Sequence, residues 1–273
     1  MMGFFTKKEK VVPSSKEGTN RTDGAFVSLI SHQLRTPLSV VKWYVEILMD
    51  EDTGKLNDDQ KKYLNVINTS NQQVIDLIRV FSNVSKIDNK TFGTDLEEID
   101  IIPVIKESLN LKSSKSKIEE KKIVLEEEYS GENIIFTIDK NILKILVNNL
   151  LVNSIDFSKE GGNVKLQVKE VKKDTVVGDK KILSDGVIIS LKDFGIGIPE
   201  LEKDKIFSKQ YRASNAKKLN TEGEGLSLYI VKNILDSVGG EVWFDSKENE
   251  GATFFVYLPK SGMRKVEGSK RLE

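Results

Sequence analysis

One histidine serves the whole chain, His32 in the run Ser31-His32-Gln33-Leu34-Arg35-Thr36-Pro37-Leu38. An imidazole titrates near neutral pH, so it can be a neutral nucleophile or a proton carrier. Apolar residues at Val27, Ile30, Leu34, Leu38, Val41, Val45 and Leu48 recur in steps of three and four, the mark of one helical face. His32 falls in the opposite row with Ser28, Arg35, Ser39, Lys42 and Glu46. Core packing is thereby disfavoured, and a phosphoacceptor or an idle surface residue remains. Three groupings further along bear on phosphate chemistry. Asn149 and Asn153 stand one helical turn apart in Asn149-Leu150-Leu151-Val152-Asn153. Amides offer neutral oxygens to Mg²⁺ and donors to phosphate without a carboxylate's repulsion. A polar helix face gives the same spacing. Asp193-Phe194-Gly195-Ile196-Gly197-Ile198-Pro199 follows an apolar strand. A carboxylate at a strand end can accept a hydrogen bond from a base, and glycines let backbone approach a ligand closely. Gly223-Glu224-Gly225-Leu226-Ser227-Leu228 opens a helix, whose free N–H groups attract anions. Its spacing is neither a Walker nor a Rossmann loop. Each glycine pair alone also suits an ordinary turn.

These groups need elements to hold them. A polar leader over residues 1–21 is expected to be flexible, and Thr22 or Asp23 then caps a helix reaching Met49 with a kink at Pro37. Asp50 to Leu56 reads as a turn. A second helix starts near Asn57, with Tyr63, Ile67, Val74, Leu77, Phe81 and Val84 on its apolar face. Two amphipathic helices joined by a short turn cannot close a core alone, so a homodimeric four-helix bundle is expected. This hairpin spans residues 22–90, and Gly93 marks a hinge. Residues 95–260 mix helices (Asp100–Leu111, Lys140–Phe157, Leu226–Val238) with strands (Lys122–Glu128, Ile134–Ile138, Asn163–Val171, Val187–Asp193, Gly240–Ser246, Ala252–Leu258). Lys172–Gly186 reads as a hairpin loop, and helices on one face of a mainly antiparallel sheet are the simplest arrangement. Residues 261–273 are charged and expected to fray. The fold class is therefore α plus α/β, a helical hairpin followed by an α/β sandwich.

Composition removes several classes. Lys plus Arg and Asp plus Glu both number 42, so no electrostatic case exists for nucleic acid or an anionic membrane. With no cysteine, disulfides and thiolate chemistry are excluded. No apolar run approaches the roughly 18 residues of a membrane span. The chain is expected to be cytoplasmic, meeting a membrane only if a sensor region outside it supplies an anchor.

Taken in order behind the histidine hairpin, the groupings resemble the core of bacterial two-component sensor histidine kinases. The His32 run looks like the family's H-box, Asn149–Asn153 like the N-box, and Asp193–Pro199 like the G1-box. Ile206-Phe207-Ser208-Lys209-Gln210-Tyr211-Arg212 looks like the F-box, and Gly223–Leu228 like the G2-box. The resemblance implies a phosphotransfer hairpin and a Bergerat-type domain binding ATP. On it, Asp193 reads the adenine amino group, Asn153 holds Mg²⁺, Asn149 assists at the phosphates and Arg212 stabilises the transferring group. Gly195, Gly197, Gly223, Gly225 and Leu226 line the nucleotide, and residues 213–222 form a lid. The γ-phosphoryl would pass to His32 and on to an aspartate of a response regulator receiver domain. Thr36 matches the position that orients water for dephosphorylating that regulator; a hydroxyl bonding back to its helix fits equally.

Three positions depart from the family pattern. Gln33 replaces an acid, and an amide fixes the imidazole tautomer but takes no proton, which predicts autophosphorylation slower by ~10–100-fold. Asp156 stands where a basic or polar group is common, and would repel ATP unless it is turned away or joins the metal shell. Ser227 replaces a glycine, at a cost if φ there is positive. An alternative therefore stands beside the kinase: a phosphatase-biased or weakly active dimeric module that binds ATP. A gyrase-like hydrolase is disfavoured, because Asn149 occupies the place of its water-activating glutamate.

Overall fold

The first elements are two long helices, α1 (Gly18–Met49) and α2 (Asp58–Asp88). A computed structural model describes residues 18–50, 54–219 and 223–273, with side chains from residue 30 onward except those at 32, 112 and 113. Residues 1–17 of the expected leader lie outside the described residues, and 18–21 belong to α1 rather than to the leader. The first turn of α2 is closed reciprocally: Gln60 N donates to Asn57 Oδ1 (2.8 Å) and Asn57 N to Gln60 Oε1 (2.9 Å). That is a capping box, reinforced by Asp58 and Asp59 at the positive helix end. The helices of the hairpin are bridged by polar contacts as well as packing. Asn71 Nδ2 donates to the Leu38 carbonyl (2.9 Å), one residue past Pro37, and Lys42 Nζ donates to Gln72 Oε1 (3.1 Å). Val45 and Ile75 are buried, yet Leu34, Val41, Leu48, Ile67 and Val74 of the apolar faces remain exposed. One hairpin covers only part of its stripe.

The chain divides into two units, residues 1–78 and 79–273. In the second, the end of α2 is followed by β1 (Glu97–Asp100), α3 (Ile101–Leu109), α4 (Lys112–Glu120), β2 (Val124–Tyr129), β3 (Ile135–Ile138) and α5 (Lys140–Phe157). Then come β4 (Asn163–Val171), the short strands β5 (Val176–Val177) and β6 (Lys180–Lys181), and β7 (Gly186–Asp193). A 3₁₀ turn at Glu200–Lys205, α6 (Ser214–Leu219), α7 (Ser227–Val238), β8 (Glu241–Lys247) and β9 (Gly251–Pro259) complete it. Five strands form one sheet in the order β2-β4-β7-β9-β8, antiparallel except for the parallel β2–β4 pair. β1 and β3 make a separate antiparallel pair.

The caps explain where the helices start and stop. Asp100 Oδ1 accepts from Ile102 N at the start of α3, and Asp139 Oδ1 accepts from Asn141 N and Ile142 N at the start of α5. Gly239 ends α7 in the left-handed region at φ 80°. The main core joins Ile101 and Ile105 of α3, Leu146 and Leu150 of α5 and Val231 and Ile234 of α7 to Leu166, Ile189 and Val256 of the sheet. Strand β7 is buried on both faces. Ile189 and Leu191 point to the helices, while Ile188 joins Ile182 and Tyr257 in a second cluster that Val177 of the β5–β6 hairpin partly covers. A run as apolar as Val187-Ile188-Ile189 has this two-sided burial as its cause.

Two segments add to the sequence reading and one overturns it. The polar segment 112–120 is a helix, α4, although its sequence carries a single large apolar residue, Ile118. The 213–222 lid contains the helix α6; its residues 220–222 lie outside the described residues. The tail is docked rather than frayed. Gly93 N donates to Lys270 O (2.8 Å), Thr94 N to Val266 O (3.0 Å), and Val266 N to Thr94 Oγ1 (2.9 Å). Asn83 and Glu273 exchange two hydrogen bonds, Lys86 pairs with the Glu273 carboxylate at 2.6 Å, and Met263 and Leu272 are buried. Two buried side chains and paired backbone outweigh a charged composition. The segment from Met263 straps the chain between α2 and β1, which includes the expected hinge at Gly93.

Candidate functional site

The G1 segment is fixed by what surrounds it. Asp193 ends β7, only 4% exposed, and its Oδ1 accepts from Gly195 N (2.9 Å) and Ala252 N (3.2 Å). Oδ2 takes part in neither of these two bonds and is the oxygen left to meet a further donor. Burial pushes the Asp193 carboxyl up to about 6, and the backbone N–H groups of Gly195, Ala252 and Asp193 itself offset this only in part. It is still mainly a carboxylate at pH 7. Gly195 and Gly197 are needed by the protein itself, which differs from ligand access as their expected reason. A Cβ on Gly195 would stand 2.0 Å from the Phe157 carbonyl, and one on Gly197 (φ 59°) 2.0 Å from the Lys247 carbonyl. Ile196 N in turn donates to Phe157 O (3.2 Å), so the loop is sewn to the end of α5.

Asn149 and Asn153 both lie half-buried on α5. Asn149 Nδ2 donates back to the Ile145 carbonyl (2.8 Å), which leaves its Oδ1 as the outward group. The Asn153 amide makes no hydrogen bond among the described residues. Asp156, seven residues past Asn149 and on the same helical face, is neutralised: Lys117 Nζ lies 2.7 Å and 2.8 Å from its two carboxylate oxygens. The charge expected to repel ATP is thus paired with a cation. Lys121, the C-cap residue of α4, caps the C-terminal end of α5, donating to the carbonyls of Ile155 (3.0 Å), Asp156 (2.6 Å) and Ser158 (3.2 Å). Its partial burial lowers its pKa. The sequence signal for these cations was present but faint, a Lys at 117 and at 121 one turn apart in a segment too polar to read as a docked helix.

The F-box and G2-box meet through Arg212. Its guanidinium donates to the carbonyls of Gly223 and Ala216, both at 3.3 Å. Gly225 has φ 65°, and a Cβ there would come within 2.6 Å of the Tyr211 carbonyl. Ser227 incurs no such cost, because it is the first residue of α7 and is absent from the positive-φ set; Leu226, buried, precedes it as the N-cap. Two residues that sequence reasoning passed over hold the lid helix. The Glu202 carboxylate accepts from Ser214 Oγ (2.5 Å), Ser214 N (2.8 Å) and Tyr211 Oη (2.9 Å), and these bonds, that from the Ser214 hydroxyl foremost, lower its pKa. Asn215 Nδ2 donates to the Gly197 carbonyl (2.9 Å), joining α6 to the G1 loop.

On α1, Gln33 and Thr36 are exposed, and Thr36 lines an open depression with Arg35, Ser39, Val40 and Trp43. The placement of the His32 side chain lies outside the described residues.

Comparison with known proteins fits both units. Residues 22–90 match the His Kinase A (phospho-acceptor) domain, and residues 138–262 match the family described as histidine kinase-, DNA gyrase B- and HSP90-like ATPase. The sensor histidine kinase WalK of Bacillus subtilis is 29% identical over 254 residues, 93% of this chain and 38% of WalK. The circadian input-output histidine kinase CikA of Synechococcus elongatus is 26% identical over 244 residues, 89% of this chain and 31% of CikA. The chain thus spans about a third of the length of these curated relatives. Among solved structures, full-length ShkA in complex with AMPPNP shares the fold at TM-score 0.65 and 22% identity, over 90% of this chain and 47% of that one. The catalytic domain of histidine kinase ThkA aligns at TM-score 0.50 and 28% identity, over 61% of this chain and 97% of that domain. No described helix is long and apolar enough to cross a membrane. With a phosphoacceptor hairpin followed by an ATPase-type sandwich, and relatives of that kind along nearly its full length, the chain belongs to the two-component sensor histidine kinases.

Proposed function

We propose that this chain binds Mg-ATP in the second unit, transfers the γ-phosphoryl group to His32, and passes it to an aspartate of a response regulator receiver domain. The observation that carries the reading is Asp193: a buried carboxylate with one oxygen spent on backbone N–H groups and the other open. That arrangement selects a hydrogen-bond donor such as the adenine amino group. Asn149 and Asn153 suit the phosphate end. Their outward amide oxygens are hard, neutral donors of the kind Mg²⁺ accepts alongside water and phosphate oxygens, with Asn153 the nearer ligand by family match. Bound there, the ion would neutralise phosphate charge as the transition state forms. Arg212 adds a guanidinium at the lid's base, where it can follow the transferring group. Phosphoryl transfer asks the protein mostly for such positioning and charge. At the acceptor, Gln33 can hold the far imidazole nitrogen but cannot take its proton.

The uncovered apolar faces of α1 and α2 suit a homodimer, the remaining stripe being buried against a second copy. A second reading, a module biased toward dephosphorylating its regulator, is favoured by one observation: Gln33 and Thr36 are both exposed on α1 where a receiver could meet them. Incubation with Mg-ATP and analysis of the bond formed tests the kinase reading. Phosphate that is labile in acid and stable in alkali marks an N–P bond. Acid-stable phosphate would place the group on a hydroxyl instead and overturn it.

A further inference from the structure

We propose that Lys117 is a positioning residue for the triphosphate, holding the Asp156 carboxylate neutral so that the face of α5 carrying Asn149 and Asn153 can accept phosphate. The inference rests on the nucleotide reading of that face. Asn149, Asn153 and Asp156 follow one another at steps of four and three, so all three project along one line of α5. An unpaired carboxylate on that line would set one negative charge against the polyanion the amides are suited to bind. Lys117 meets both carboxylate oxygens at 2.7 Å and 2.8 Å, and the pair keeps 41% and 24% side-chain exposure, open to the solvent side rather than sealed in the core.

Helix α4 is built to deliver this cation. Ser114, Lys117 and Lys121 recur at steps of three and four on one face, and each reaches α5. Ser114 Oγ bonds Asn148 Oδ1 at 3.2 Å, and Lys121 grips three carbonyls at the C-terminal end of α5. Lys117 sits between two anchors, so its backbone is held against α5 without help from Asp156. The positive charge that an N-box lysine would place on α5 itself is here split between an acid on α5 and a base on its neighbour. The net charge at the phosphate end is restored to neutral, not made positive. Such a site should bind ATP through metal, amides and Arg212 and gain no net charge attraction from α5.

Titration calorimetry of the full chain with Mg-ATP and, separately, with adenosine tests this. Lys117→Met should weaken ATP binding by about tenfold and leave adenosine within about twofold, because only the phosphates feel the uncovered charge. Lys117→Arg should keep the ATP affinity. The double variant Lys117→Met with Asp156→Asn should return it to within about threefold of the parent, which also shows that the fold survives loss of the lysine. Equal weakening of ATP and adenosine, unchanged ATP affinity in Lys117→Met, or no recovery in the double variant would overturn the proposal. So would a loss of Mg-ATP affinity in Asp156→Asn alone, which would make the carboxylate a metal ligand. A parent chain that binds neither ligand would instead sink the nucleotide reading on which the proposal rests.

Discussion

In the proposed nucleotide site, Asp193 would serve recognition at a cost to stability. Its folded pKa of about 6 lies above the 3.8 of a free aspartate, so the folded state holds the proton more tightly. The stabilising contribution is complete below about pH 4 and is lost as pH rises through about 6. Asp193→Asn keeps the Oδ1 acceptor for Gly195 N and Ala252 N and removes the charge. In thermal melts without nucleotide, the variant should gain roughly 2–3 kcal/mol over the parent at pH 7.5, and the gap should close near pH 4. The same change turns the open oxygen into an N–H donor facing the adenine amino donor. ATP affinity should drop at least about 100-fold. A variant no more stable at pH 7.5, or one that binds ATP normally, would contradict this account of the residue. Gln33 makes the second prediction at this scale. Gln33→Glu restores a base for the imidazole N–H, and initial autophosphorylation should rise by about tenfold or more at saturating ATP. A flat or lower rate would show that the proton leaves by another route.

Among the elements, those with strong periodicity or caps were legible in the sequence, and those made by neighbours were not. Helix α5 announces itself through Asp139 and an apolar run, and β7 through a continuous apolar stretch bounded by Gly186 and Asp193. Helix α4 does not, because what docks it is Ser114, Lys117 and Lys121 reaching carbonyl and carboxylate groups of a helix about 35 residues later in the chain. Likewise the box residues could be picked out by type and order, whereas the pairing of Asp156 and the lid contacts of Glu202 and Asn215 depend on partners far apart in sequence. The tail is hidden for the same reason: most of its partners, Asn83, Lys86, Thr91, Gly93 and Thr94, lie far back in the chain. Gly268 gives the test of that strap. A Cβ there would stand 2.1 Å from the Phe92 carbonyl and 2.6 Å from Gly93 N, with backbone on both sides and no side chain free to yield. Gly268→Ala should lower unfolding stability by about 2 kcal/mol in denaturant titration, with residues 91–94 losing amide-exchange protection. Unchanged protection there would mean that the strap is not what orders the segment.

At the scale of the whole molecule, the hairpin leaves Ile67 and Val74 of α2 and Leu34 and Val41 of α1 exposed in a single chain. Burying that stripe against a second copy predicts a sedimenting species of twice the chain mass, and Ile67→Glu should shift it to one chain mass. A parent that sediments as a monomer would remove the four-helix bundle from the account. In the proposed function one unit presents the acceptor and the other holds the donor, so phosphate must pass from the second to the first. The most direct measurement compares the intact chain with His32→Gln, both at saturating γ-labelled Mg-ATP and with matched nucleotide occupancy. Label should accumulate on the intact chain and be absent from the variant. An intact chain that binds ATP without acquiring label, or a variant that labels equally well, would contradict the account.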